Sequence, residues 1–291
     1  MEKKISYVIF KLIYFIDNFV FKITKKSFLK WFTYFIEKES YEELLIENKK
    51  LILFSPNHLI KWRVNTFYTK EPETLDWINK FINKNPIVFW DIGANIGLYS
   101  LYAALKHKNC EVISFEPSTS NLRTLSRNIF VNNLSERVKI FSNPLQNNSN
   151  QNKFLEMNEK EFIEGHALNT FGENKNFEGK KFLPKMKYNI FGTSINFLLD
   201  NKFLKIPDYI KIDVDGIEHL ILDGGNKYLN NKNIKSIIIE VNENYVSQYN
   251  NIMKTMKNLG FNIFEKKQTD EIAVSETQNK FSNTFNYIFK R

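Results

Sequence analysis

The residues best suited to chemistry fall in four short runs. The first is Asp91-Ile92-Gly93-Ala94-Asn95-Ile96-Gly97. Glycine lets a backbone pass close to a ligand without a Cβ clash. Helical amides that follow such a loop face a pocket with positive partial charge. Dinucleotide enzymes space their loop G-x-G-x-x-G. Here the spacing is G-x-x-x-G, with no third glycine to meet a pyrophosphate, so the expected ligand is a nucleoside without phosphates. The second run is Phe115-Glu116-Pro117, where Glu116 stands 19 residues beyond Gly97. An acid at that strand end can accept both ribose hydroxyls, and a plain surface carboxylate is the alternative. The third run is Lys211-Ile212-Asp213-Val214-Asp215-Gly216-Ile217-Glu218. Asp213 and Asp215 would face the crevice beyond the strand ends. Glu218 would fall in a first helical turn, where it either works in the site or is simply favoured by the helix dipole. The fourth run is Glu240-Val241-Asn242-Glu243.

These runs need elements to hold them. Strands are expected at 87–90, which is wholly apolar, and at 111–115, 137–141, 209–214 and 234–241, alternating with helices at 98–106, 119–132, 193–201, 218–229 and 245–259. Continuous apolar strands alternating with helices imply a parallel sheet covered on both faces, and right-handed crossovers give it a doubly wound α/β form. Segments 261–264 and 285–289 read as a closing pair of strands. Residues 146–190 break the rhythm and read as an insertion of loops and short hairpins. His166, Phe171 and Phe182 anchor it, which favours an ordered flap over a disordered loop. Residues 1–86 form an N-terminal helical extension and lead-in, and residues 87–291 form the sheet domain. Within the lead-in, helices are expected at 41–50 and 73–83, a strand at 51–54 and a helix stop at Asn85-Pro86, while 57–68 is ambiguous.

The quoted runs, together with Leu98-Tyr99-Ser100 after the first, resemble the FkbM family of methyltransferases, over roughly residues 87–265. The resemblance implies a class I, Rossmann-like fold that is mostly parallel with one antiparallel strand. It also implies S-adenosyl-L-methionine as cofactor and methyl transfer to oxygen, often on sugars or other small hydroxyl compounds. Carried over residue by residue, Asp91, Gly93, Asn95 and Gly97 would line the methionine and ribose part of the pocket, with Glu116 on the ribose hydroxyls. Asn143 would lie near the adenine and Asp213 beside the methyl group. Two departures stand out: Asp215 replaces the family's usual Glu, and the His that is frequent near Asn242 is missing.

A sugar hydroxyl needs help to lose its proton. Asp213, or Asp215 with Glu218, is expected to accept it. Oxygen ligands at Asp213, Glu240 and Asn242 would suit Mg²⁺, so metal assistance stays open, with no metal ligand assigned. Zinc is not expected, because the chain has one cysteine and no Cys/His cluster. His219 reads as a satisfied helix residue, and His166 as either flap or substrate contact. The Asn/Asp-Pro-Pro-aromatic turn of amino-directed nucleic-acid enzymes is absent after the fourth strand, so no nucleic acid is expected as partner. A cofactor-binding module without chemistry is a further alternative.

The 291 residues are 43% hydrophobic and 25% charged, which suits a globular chain with a large core. Cys110 precedes an apolar run and reads as a packed core thiol. The formal charge is +9, and residues 1–30 hold seven lysines against two acids. Residues 5–23 are apolar and aromatic but interrupted by Lys11, Asp17 and Asn18, which does not suit a spanning helix. They are read as a helix docked on the domain or a basic amphipathic helix on an anionic membrane surface. The expected location is cytoplasmic, with peripheral contact at the inner membrane face through residues 5–30. A surface glycan or its precursor is the expected acceptor.

Overall fold

The computed structural model describes residues 2–82, 86–268 and 283–291. The chain opens with helices α1 (Glu2–Thr24) and α2 (Leu29–Glu39), then strands β1 (Tyr41–Ile46) and β2 (Lys49–Phe54). Helices α3 (His58–Asn65), α4 (Phe67–Lys70) and α5 (Pro72–Asn79) lead to β3 (Ile87–Ile92). The alternation follows as α6 (Leu98–Lys106), β4 (Cys110–Phe115), α7 (Thr119–Val131) and β5 (Val138–Phe141). The insertion supplies β6 (Lys153–Glu159), β7 (Thr170–Phe171) and β8 (Met186–Gly192). Helix α8 (Ile195–Asp200), β9 (Tyr209–Ile212), α9 (Glu218–Asp223), β10 (Ser236–Asn242), α10 (Val246–Asn258), β11 (Asn262–Gln268) and β12 (Thr284–Lys290) complete the fold.

Seven strands form one sheet in the order β11-β12-β10-β9-β3-β4-β5. Strand β12 runs antiparallel to both its neighbours, and the other pairings are parallel. This is the mostly parallel sheet with one reversed strand that the sequence leads one to expect. Side chains on β3 alternate between two cores. Ile87 and Phe89 join one with Leu53, Phe67 and Trp77 of the lead-in, while Val88, Trp90 and Ile92 join the other with Met157, Phe171 and Ile221. Both faces are therefore covered, as parallel strands require. Cys110 is 1% exposed and its thiol is pushed up to about 12 by burial, consistent with an inert core residue.

Residues 41–50 are not a helix. Strands β1 and β2 pair as an antiparallel hairpin from Tyr41↔Phe54 to Ile46↔Lys49. Helix α7 supplies what the outer edge of β2 lacks. The amides of Ile52 and Phe54 donate to Asn132 Oδ1 at 2.9 Å and Asn128 Oδ1 at 2.7 Å. The helix expected at 73–83 runs Pro72–Asn79, and Asn83 and the Asn85 half of its stop signal lie outside the described residues. Residues 57–68 resolve into helix, with Asn57 Oδ1 accepting from the Leu59 and Ile60 amides at 3.0 Å. The insertion is a three-stranded antiparallel sheet, β7-β6-β8, so the ordered flap is the form seen.

Candidate active site

The loop after β3 is held by backbone geometry. The Gly93 and Ala94 amides both donate to the Phe115 carbonyl at 3.0 Å, and Gly93 takes a left-handed φ of +90°. A Cβ on Gly93 would stand 1.8 Å from the Asp213 carbonyl oxygen, so only glycine lets the β3 loop and the end of β9 meet. The Asn95 amide donates to Glu116 Oε2 at 2.7 Å, and the Ser118 amide donates to Oε1 at 2.8 Å. Glu116 is 5% exposed, and burial pushes its carboxyl up to about 8 despite those bonds.

The strand ends surround a cavity of about 1250 Å³, counting its open mouth. Gly93, Asn95, Glu116, Asn143, Asp213 and Asp215 all line it. Asp91, Gly97 and Glu218 do not. Asp91 lies behind the loop, 1% exposed, with Oδ2 accepting from Ser100 Oγ at 2.6 Å. Ser114 Oγ donates in turn to Ser100 at 2.7 Å. Gly97 closes the loop at φ +88° ahead of α6. Glu218 takes the structural one of its two expected roles. Its Oε1 accepts from the Gly216 amide at 3.1 Å and the Val214 amide at 3.3 Å, and its Oε2 accepts from Gln248 Nε2 at 2.7 Å. It braces the 213–216 turn from behind, and burial raises its carboxyl to about 7. Asn143 faces the cavity while its Nδ2 donates to the Phe191 carbonyl at 2.8 Å.

The two aspartates differ in environment. Asp213 Oδ2 pairs with the buried Lys211 Nζ at 2.5 Å. Burial works against the charge on that ammonium, yet Asp213, Glu71 and Asp91 together hold its affinity for the proton above the ordinary lysine range. Asp215 has a left-handed φ of +63°, and its Oδ2 accepts from the Leu168 amide at 2.6 Å. Burial, and next the charge of Asp213, raise its carboxyl to about 6. Glu240 also lines the cavity, and burial followed by Asp213 and Glu71 pushes it well above the carboxylate range.

Further lining residues carried no sequence signal of their own: Arg63, Lys70 and Glu71 from the lead-in. Lys70 Nζ meets Glu71 Oε1 at 2.9 Å. Burial opposes ionisation of Glu71, but Lys70 and Lys211 overcome it and bring the carboxyl down to about 2. Tyr99 and Lys211 sat unremarked inside the quoted runs; here Lys211 Nζ lies 5.0 Å from the Tyr99 ring centroid. His166 also lines the wall. Its carbonyl accepts from Asn95 Nδ2 at 3.0 Å, and its Nδ1 is buried without a partner. His219, by contrast, sits away from the cavity, 3.3 Å from Gln248 Nε2.

The residues present fit a nucleoside cofactor. Asn95 Oδ1 is buried and unpartnered beside Glu116, and both residues line the cavity. The metal set considered from sequence is not assembled. Asn242 turns its Oδ1 to the Asn244 amide at 2.9 Å and does not line the cavity. Among the described residues no three His, Cys, Asp or Glu side chains could hold a metal ion together.

The sheet order, its single reversed strand, the glycine loop after β3 and the acid ending β4 define a class I methyltransferase fold. The profile described as the Methyltransferase FkbM domain matches residues 91–263, and the chain belongs to that family. The chain is 27% identical over 159 residues to the methyltransferase sdnD of Sordaria araneosa, a match covering 48% of this chain and 60% of that protein. Among solved structures it is similar to a precorrin-6Y C5,15-methyltransferase from Geobacter metallireducens, at 14% identity and a TM-score of 0.42, covering 76% of this chain and 86% of that one. It is also similar to M. capricolum TrmK in complex with S-adenosylhomocysteine, at 12% identity and a TM-score of 0.42, covering 74% and 66%.

Proposed function

We propose that the chain is an S-adenosylmethionine-dependent O-methyltransferase acting on a sugar hydroxyl of a surface glycan or its precursor, at the inner face of a membrane. The observation that carries this reading is the convergence of the glycine loop, Glu116, Asp213 and Asp215 on one cavity. When bound, S-adenosylmethionine supplies a methyl group on a sulfonium sulfur. Glu116 would accept the ribose hydroxyls, and Gly93 and Asn95 would lie along the nucleoside. Asn143 would meet the adenine edge. Asp213, fixed by Lys211, supplies negative charge near the reacting centre. Asp215 accepts the acceptor's proton through the oxygen that Leu168 does not engage. Its raised carboxyl suits it to act as a base near neutral pH. The cavity wall carries five carboxyl groups, those of Glu71, Glu116, Asp213, Asp215 and Glu240, against the cations Arg63, Lys70 and Lys211.

The test is a calorimetric titration with S-adenosylhomocysteine. The wild-type chain is expected to bind it, and Glu116→Ala to bind about tenfold more weakly or worse through loss of charged hydrogen bonds. A folded wild-type chain that binds nothing would remove the cofactor assignment and leave a binding module of another kind.

A further inference from the structure

The amino-terminal helices have their polarity inside out for water. The one buried residue of α1 is Asp17, and α2 has none. Asp17 accepts from Ser27 Oγ at 2.8 Å and from the Phe28 and Leu29 amides at 2.7 and 3.0 Å. It therefore caps α2 from the neighbouring helix and folds the pair into a hairpin. The apolar side chains point outward instead. Ile5, Val8, Leu12, Phe15, Phe19 and Ile23 recur at three- and four-residue steps along one face of α1, and each is 53–70% exposed. On α2, Trp31, Tyr34 and Phe35 are likewise exposed. Helical periodicity sets Lys4, Lys11 and Lys22 along one edge of the α1 face, and all three are exposed. No helix among the described residues is long and apolar enough to cross a membrane.

We infer that the α1–α2 hairpin is an interfacial anchor for an anionic lipid bilayer, lying in its surface with the α1 apolar face down. The lysine edge meets acidic headgroups while its stems cover apolar surface. Trp31 and Tyr34 have the amphipathic rings that favour the headgroup level. Charge selects lipid over a second copy of the chain. Two hairpins meeting face to face would bring together two segments that each hold seven lysines against two acids within residues 1–30, whereas an acidic surface attracts them.

The hairpin is also fastened beside the active-site wall. Glu37 near the end of α2 accepts from Arg123 Nη2 and Arg127 Nη1, both at 2.6 Å. Arg123 Nη1 donates as well to Glu164 at 2.9 Å, two residues before the cavity-lining His166. An anchored chain thus holds its cavity close to acceptors confined to the same surface.

The test is sedimentation of the full chain with vesicles of phosphatidylcholine alone or mixed with phosphatidylglycerol. Binding is expected to the mixed vesicles, weakened by salt. K4Q/K11Q/K22Q is expected to bind about a hundredfold more weakly, at about 1 kcal/mol per lysine. Phe15→Ser with Phe19→Ser is expected to abolish binding to the mixed vesicles. S-adenosylhomocysteine affinity measured on the same preparations reports folding and separates this outcome from the cofactor assignment. Two results overturn the anchor. One is a wild type that binds the cofactor product yet ignores both vesicles. The other is a soluble dimer that the two phenylalanine substitutions convert to monomer.

Discussion

Asp215 and Glu218 are three residues apart, yet the turn between them gives them opposite duties. Asp215 faces the cavity with a carboxyl near 6, and Glu218 spends its oxygens on Val214, Gly216 and Gln248. A base must be ionised to work, so kcat/KM is expected to rise as pH climbs through about 6 and then level. Asp215→Asn is expected to lower kcat about 100-fold or more and erase that limb; a profile unchanged in shape would return the base role to Asp213. The cavity-lining residues legible in the sequence are those whose signal is local. A glycine loop, a strand-end acid and an Asp-x-Asp turn announce themselves within a few positions. Arg63, Lys70 and Glu71 did not, because the packing of the lead-in against strand ends far along the chain is what brings them to the cavity.

At the scale of elements, the 213–216 turn depends on a carboxylate that never touches the cavity. Glu218→Ala leaves two backbone amides and Gln248 without their partner, and is expected to cost about 1–3 kcal/mol in urea unfolding. Its effect on turnover is expected to appear as raised KM together with lowered kcat, since the whole turn loosens. Elements whose faces repeat strongly are legible in the sequence. Strands β3, β4, β9 and β10 and helices α6, α7 and α10 stand where the apolar pattern puts them. The misreading at 41–50 has a physical source: Glu and Leu favour a helix in isolation, but Asn128 of α7 and Asn132 just after it offer β2 a ready-made edge. The helix expected to run to residue 229 stops at Asp223, where Gly224 lets the chain pass the Gln146 carbonyl. A Cβ there would stand 2.1 Å from that oxygen.

For the molecule as a whole, buried acids set the pH response. Glu116, Glu218 and Asp215 have folded-state values near 8, 7 and 6, all above their ordinary ones. Each contributes stability that is fully present below the ordinary carboxylate range and is lost as pH rises through its folded value. His166 and His219 are lowered by burial and act the other way, but chiefly below their ordinary value of 6.5. The ligand-free chain is therefore expected to melt at a lower temperature at pH 8 than at pH 6. Saturating S-adenosylhomocysteine should shrink the difference, because ribose hydroxyls favour ionised Glu116. An unchanged melting point across that range would mean these acids are already solvated.

The insertion has one more property. Leu145 and Thr193 pair as an isolated parallel bridge, the Gln146 amide donates to the Thr193 carbonyl at 2.8 Å, and the Thr193 amide to the Pro144 carbonyl at 3.0 Å. The segment therefore leaves and rejoins the main sheet at a single knot. Between those points Met157 and Phe171 pack into the core shared with β3, so the strands below feel a change there. The roof is therefore coupled to the floor: a change of length between those points reaches the glycine loop and the Asp215 turn through His166 and Leu168.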